Sequence, residues 1–311
     1  MWDFKLLSAT QTLEKTMSYV IYRLAMYVLL SLALIFGIVA GTGTGLFLDS
    51  MFATPGMFVR IGGFAGFTIV AVVLYGFRAN WLFSIKAPHV ALLNESGIQP
   101  GWARVVEARK LVRKRFSTSA ELHTLDKRIQ AVLAFLFKQN TGLGQRIAKL
   151  DTTMFSRLVS VIAEIPATYV HEIILSECLK DATRSASGAA VGALSLYAQN
   201  FQRLFNNQSI LFSLKGVAWL VIFVLMLTPV GWVDEIIPAE FGIWSYVFAL
   251  LLSWPIKSSL FDPIGVAAML GVFSDLTRAQ TIDPQWERKL TEQSAQFASL
   301  KKRAEFLDDG N

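Results

Sequence analysis

The chain has 311 residues, of which 53% are hydrophobic and only 17% are charged, and its formal net charge is +6. Soluble domains normally carry about 25% charged residues, so this composition excludes an ordinary soluble domain and indicates a membrane protein. The only cysteine, Cys178, excludes a disulfide framework within the chain.

Four stretches without charge are candidate membrane spans. They cover residues 24–48, 61–77, 216–233 and 241–256, with lengths of 25, 17, 18 and 16 residues. A membrane-spanning helix needs roughly 20 mainly apolar residues, with a range of about 17–25. The fourth stretch meets this length if the long side chain of Lys257 reaches the headgroup region. We therefore predict an all-α polytopic protein with about four transmembrane helices in two hairpins.

The distribution of lysine and arginine predicts the orientation. Residues 1–23 carry three of these residues, 78–215 carry 18, and the tail from Lys257 carries seven, whereas the connection 234–240 carries none. Because cytoplasmic loops carry the excess of Lys and Arg, both termini and the long middle region are predicted to be cytoplasmic. We expect an integral protein of a bacterial inner membrane.

Glycines recur at helical spacing in the first two spans. Gly37, Gly41 and Gly45 lie four residues apart in the first span, and Gly62 and Gly66 open the second. Small residues allow helix backbones to approach closely in lipid. We expect these two spans to pack on each other; a homo-oligomer contact and a permeation path are the alternatives.

Residues 101–116 combine apolar side chains at helical spacing with a dense basic face. The basic side chains expected to contact lipid headgroups are Arg109, Lys110, Arg113, Lys114 and Arg115. Such a cluster beside a membrane attracts anionic lipids, by about 1 kcal/mol per residue near the surface. A solvated face without a ligand is the alternative. Nucleic acid is not an expected partner, because the fold-level signatures of nucleic-acid binding are missing.

Further helices are predicted on both sides of the second hairpin. Residues 125–140 form an amphipathic helix, and 150–177 form another. Residues 185–200 are small, apolar and uncharged, which suits an interfacial segment, a re-entrant segment or a helix packed inside the bundle. In the tail, Asp283 and Pro284 predict the start of a polar helix.

No sequence motif of an enzyme is complete. His171-Glu172 begins like the zinc-protease motif H-E-x-x-H, but Leu175 stands where the second histidine is required. His171 is expected to be a surface or core histidine on a helix. We therefore expect no enzymatic activity, no metal site and no cofactor.

A charged break interrupts the apolar stretch 253–276, at Lys257 and again at Asp262-Pro263. About 20 residues counted inward from residue 241 cross the bilayer, so the break falls near its inner surface. Asp262 is a good N-cap and Pro263 suits the first helical position. We expect an elbow at the interface, followed by a new helix. The alternative is a discontinuous helix around a transport site.

Residues 178–290 resemble the closing portion of the choline transporter-like membrane family. The resemblance rests on the segment CLKDATRSASGAAVGALSLYAQNFQRLFNN (178–207) before a span, and on the last span running into FDPIGVAAMLGVFSDL. The family has more spans than this chain. The resemblance implies a similar arrangement of the last two spans, and a transport role for Asp262.

These observations divide the chain into five parts. They are a cytoplasmic segment (1–23), a first transmembrane hairpin (24–85), a basic helical insert (86–215), a second hairpin (216–261), and an interfacial helix with a helical tail (262–311). The leading hypothesis is a non-catalytic membrane subunit or scaffold that binds anionic lipids and partner proteins through its cytoplasmic helices. The alternative is an oligomeric small-molecule transporter. Either would be a homo-oligomer or a subunit of a membrane complex.

Overall fold

The computed structural model describes residues 2–52, 56–94, 102–140, 167–181, 183–236 and 242–308. It is 91% helical, and these ranges contain no β-strand. Four helices are long and apolar enough to cross a membrane, at Met17–Phe52, Met57–Gly76, Phe201–Val233 and Ile243–Thr277. The protein is therefore an all-α integral membrane protein, as the composition predicted.

The helices are numbered along the described chain. The first half contains α1 (Leu6–Lys15), α2 (Met17–Phe52), α3 (Met57–Gly76), α4 (Arg78–Trp81), a π-helical turn (Leu82–Lys86), α5 (Ala87–Asn94), α6 (Ala103–Arg115) and α7 (Ser119–Asn140). The second half contains α8 (Ala167–Lys180), α9 (Ala186–Gln199), α10 (Phe201–Ile236), α11 (Ile243–Ile256), a second π-helical turn (Lys257–Phe261), α12 (Asp262–Thr277), α13 (Pro284–Gln293) and α14 (Ala295–Asp308). Most of the helix predicted over 150–177 lies outside the described residues.

The chain divides into two compact units. The first unit comprises Met1–Tyr19, Leu82–Leu214 and Asp262–Asn311. The second unit comprises Val20–Trp81 and Lys215–Phe261, and therefore contains most of the apolar helices. Each unit has its own hydrophobic core.

The core of the first unit forms around α8. This helix packs against α5, α7, α9 and α12, and its buried side chains include Ile173, Ile174 and Cys178. Helix α7 faces it with the apolar side chains that the sequence predicted, among them Ile129 and Leu133. An apolar face at intervals of three and four residues thus directs each helix toward this core.

Helix α9 and the tail helices complete the first unit. Ten of the 14 residues of α9 are buried, so the uncharged segment 185–200 is a helix packed inside the first unit. In the tail, the Asp283 carboxylate accepts a hydrogen bond of 2.8 Å from the Gln285 amide at the start of α13. The predicted Asp-Pro helix start is therefore confirmed at this position.

The second unit is held together by a glycine seam between α2 and α3. A Cβ added to Gly41 would lie less than 3.0 Å from the Gly62 carbonyl oxygen, and one added to Gly66 would meet the Gly37 carbonyl equally closely. Gly45 lies in the same way against Phe58. These glycines therefore allow the two helix backbones to touch.

The charged break in the last apolar stretch is not a helix end. The chain stays helical through the π-helical turn that joins α11 to α12, so the prediction that Asp262 caps a new helix is wrong. Pro263 has no amide hydrogen, and in a regular α-helix its ring would clash with the carbonyl four residues earlier. The π-helical turn just before Pro263 relieves this conflict, and Lys257, the first residue of the turn, is half-buried.

The order of elements occurs twice in the chain. A short helix, a single non-helical residue and a 36-residue helix follow each other at α1–α2 and again at α9–α10. A second apolar helix then leads to a five-residue π-helical turn, and a proline follows two residues beyond the turn, Pro88 in the first case and Pro263 in the second.

Candidate functional site

Helix α6 carries two faces of opposite character. Val105, Ala108 and Val112 are spaced three and four residues apart and are buried in the first unit. A second face, which is exposed, carries a tryptophan and a valine, with Trp102 62% and Val106 55% accessible. Helix α6 therefore presents large apolar side chains outward as well as inward.

Three basic side chains share the outward face of α6. We call this surface the α6 face and define it as Trp102, Val106, Lys110, Arg113 and Lys114, all of them exposed. At 100° per residue, these five positions occupy about one third of the helix circumference. An exposed tryptophan flanked by cations is typical of helices that lie at the surface of an anionic membrane.

The two other arginines predicted to contact lipid headgroups are less exposed than the residues of this face. Arg109 and Arg115 are both half-buried. The Arg115 Nε donates to the Cys178 carbonyl at 2.8 Å, and its Nη2 donates to the Arg184 carbonyl at 2.6 Å. Arg115 therefore holds the end of α8 next to the segment that leads into α9.

The first unit also contains a buried ionic cluster, which we define as Lys86, Asp126, His171 and Glu172. The Lys86 Nζ lies 3.6 Å from Glu172 Oε1, and the His171 Nε2 lies 3.8 Å from Asp126 Oδ1. The side chains of Asp126, His171 and Glu172 are each about 5% exposed or less. Buried charges are costly unless they are paired, so this cluster constrains how α7, α8 and the first π-helical turn pack.

The sequence drew attention to His171 but did not reveal that it belongs to a cluster of charged side chains. His171 was expected to lie on a surface or in a core, and it is in the core. Its partner Asp126 belongs to another helix, and Lys86 to the π-helical turn. Only the adjacent acid and base of His171-Glu172, between the apolar residues Val170 and Ile173, indicated buried charge in the sequence.

Burial controls the charge of Asp126. Burial raises the pKa of Asp126 above its ordinary value of 3.8, and this effect exceeds the lowering by His171, Lys86 and His123; Glu172 raises it further. The folded protein thus binds this proton more tightly than the unfolded chain does. The resulting contribution to stability is present below pH 3.8 and is lost as the pH rises through the raised pKa.

We expect Asp126→Asn to become progressively more stable than the native chain as the pH rises from 3.8 toward the raised pKa of Asp126. The asparagine keeps the shape of the neutral acid, and each unit by which the pKa is raised corresponds to about 1.4 kcal/mol. The midpoint of thermal unfolding, measured across this pH range, reports the difference.

Asp3→Asn is the matched control for this titration. Hydrogen bonds from Arg203 and Asn207 lower the pKa of Asp3 to about 2, so this carboxylate is ionised in both states between about pH 5 and 8. Its effect on the midpoint should be the same at every pH in this range. A difference between Asp126→Asn and the native chain that stays constant from pH 3.8 upward would contradict the raised pKa.

Within the described ranges, no three His, Cys, Asp or Glu side chains come together in a metal-binding arrangement. The sequence matches no protein-family model and no curated protein, and no solved structure matches the fold. The resemblance to choline transporter-like proteins accordingly stays a prediction.

Proposed function

We propose that the protein is a non-catalytic membrane subunit or scaffold that binds anionic lipid headgroups through the α6 face. The observation that supports this proposal is the exposure of Trp102 and Val106 beside Lys110, Arg113 and Lys114. The apolar side chains enter the interfacial layer, and the cations contact lipid phosphates. Each basic residue contributes about 1 kcal/mol near the surface.

The apolar helices support a structural role over transport. The stretches 24–48, 61–77, 216–233 and 241–256 carry no Asp, Glu, Lys, Arg or His, whereas charges inside the membrane usually mark transport pathways. Within the second unit, α2 and α3 pack through close contacts between glycine backbones. These helices serve as an anchor, and the first unit carries the binding surfaces.

The placement of the first unit follows from charge. The excess of Lys and Arg in 78–215 and in the tail supports a cytoplasmic location for both termini and for the first unit. The membrane in this proposal is a bacterial inner membrane. The partners of a scaffold of this kind are anionic lipids and either further copies of the chain or other subunits of a membrane complex.

The test measures whether Trp102 enters lipid. The full-length protein is reconstituted in nanodiscs of phosphatidylcholine or of phosphatidylglycerol, each with and without brominated acyl chains, which quench tryptophan. The difference in emission between the native chain and Trp102→Phe isolates the Trp102 signal. We expect quenching in the anionic discs, and its loss in the triple variant Lys110→Gln, Arg113→Gln, Lys114→Gln.

A second triple variant is the control, because it removes three positive charges from outside the α6 face. Lys127, Arg288 and Lys302 are exposed but lie outside α6, and their replacement by glutamine should leave the quenching intact. Added salt should weaken the quenching of the native chain, because it screens exposed charges. Equal losses in both triple variants, or no quenching in anionic discs, would refute lipid binding by the α6 face.

A further inference from the structure

A cavity of about 470 Å³ opens in the first unit, away from the α6 face. Its walls come from the end of α6, the first turns of α7, the start of α9 and the end of α14. Its lining combines cations with apolar side chains, notably Arg115, Arg128, Arg303, Phe116, Phe306 and Leu307.

Two of the three arginines at this cavity are unpaired. Within the described part of the chain, neither the Arg128 nor the Arg303 side chain forms an ion pair or a hydrogen bond. The one carboxylate of the lining, Glu121, accepts hydrogen bonds of 3.0 Å from both the amide and the hydroxyl of Ser117. The cavity thus has a surplus of positive charge.

The start of α9 already holds an anionic group at the edge of this cavity. The Asp308 carboxylate accepts a hydrogen bond of 2.7 Å from the Ser185 amide. It also lies 2.5 Å from the position that a Cβ of Gly188 would occupy, so the absence of a side chain at Gly188 leaves room for it. A carboxylate from the chain itself therefore shows that the α9 end of the cavity accepts negative charge.

A second basic cavity has a simpler explanation. It measures about 410 Å³ and is lined by Lys114, Arg115 and Lys180. These residues stand at the C-terminal ends of α6 and α8, where cations balance the helix dipoles. The first cavity differs because neither Arg128 nor Arg303 stands in the last turn of its helix.

We propose that the first cavity binds a phosphate group attached to an apolar body. Guanidinium groups match the geometry of phosphate oxygens with paired N–H donors, and Arg128 and Arg303 have these donors available. Phe116, Phe306 and Leu307 contact the apolar part. The phosphate belongs either to a lipid headgroup or to a free phosphorylated small molecule, and the site does not depend on lipid binding by the α6 face.

The test uses two soluble probes. Phenyl phosphate represents a free phosphorylated molecule, and dihexanoyl phosphatidic acid represents a lipid headgroup. Each is titrated calorimetrically into the full-length protein in phosphatidylcholine nanodiscs. We expect saturable binding that Arg128→Gln with Arg303→Gln weakens at least about tenfold, because charge-assisted hydrogen bonds are lost.

The control variants separate this site from general charge attraction. Lys127→Gln with Lys302→Gln removes the same charge from the neighbouring exposed positions and should leave the affinity unchanged. Asp308→Asn should strengthen binding, because it removes a nearby negative charge. Tighter binding of phosphatidic acid identifies a lipid, and tighter binding of phenyl phosphate identifies a small molecule. No saturable binding of either probe, or equal weakening by both double variants, would overturn the proposal.

Discussion

Replacing Lys86 by methionine is expected to lower the free energy of unfolding by about 3 kcal/mol, because it leaves the Glu172 carboxylate buried beside an apolar side chain. The Glu172 side chain is 4% exposed and cannot recover its hydration in the folded state. The expected loss lies at the lower end of the range for a broken buried ion pair, since the Lys86 side chain is itself 30% exposed. Thermal unfolding of the purified protein in detergent measures it.

The double variant Lys86→Met, Glu172→Gln separates charge from packing. Removing both charges eliminates the uncompensated carboxylate, so most of the lost stability should return. Lys127→Met, at an exposed position of α7, is the control for the effect of the substitution itself. If the double variant is as unstable as Lys86→Met alone, the Lys86–Glu172 pair is not the source of the loss.

Gly41→Ala is expected to cost about 1–3 kcal/mol of stability, the usual cost of overpacking a close contact. The added methyl group would lie less than 3.0 Å from the Gly62 carbonyl oxygen. This oxygen belongs to the backbone, so only a separation of α2 and α3 relieves the clash. Thermal unfolding followed by size-exclusion chromatography of the detergent-solubilised protein reports the effect.

Gly43→Ala provides the matched control two residues away on the same helix. A Cβ at Gly43 meets no atom within 4 Å, and alanine favours a helix over glycine. The stability of this variant should equal or slightly exceed that of the native chain. Equal losses at positions 41 and 43 would mean that the seam does not depend on close contact.

Features that depend on short stretches of sequence could be predicted. The four apolar helices follow from the lengths of the uncharged stretches, because the thickness of the bilayer sets a narrow range. Asp283 and Pro284 start a helix through interactions within one turn. The spacing of Gly37, Gly41 and Gly45 places them on one side of α2, which is the side that faces α3.

Features that depend on tertiary packing could not be predicted. Asp262-Pro263 has the same local signal as Asp283-Pro284, but Asp262 and Pro263 are both buried, and there the helix continues through a π-helical turn. Arg113 and Arg115 look equivalent in the sequence. Their positions around α6 differ by about 200°, so one is exposed and the other bonds to the carbonyls that flank the α8–α9 connection.

Because Cys178 is buried, the reactivity of its thiol reports the unfolding of the first unit. It is the only cysteine of the sequence, and complete burial in α8 raises the pKa of its thiol to about 12. Reagents attack the thiolate, so modification must wait until the core of the first unit opens. The rate of alkylation by an added reagent therefore measures the opening equilibrium of that core in the membrane-embedded protein.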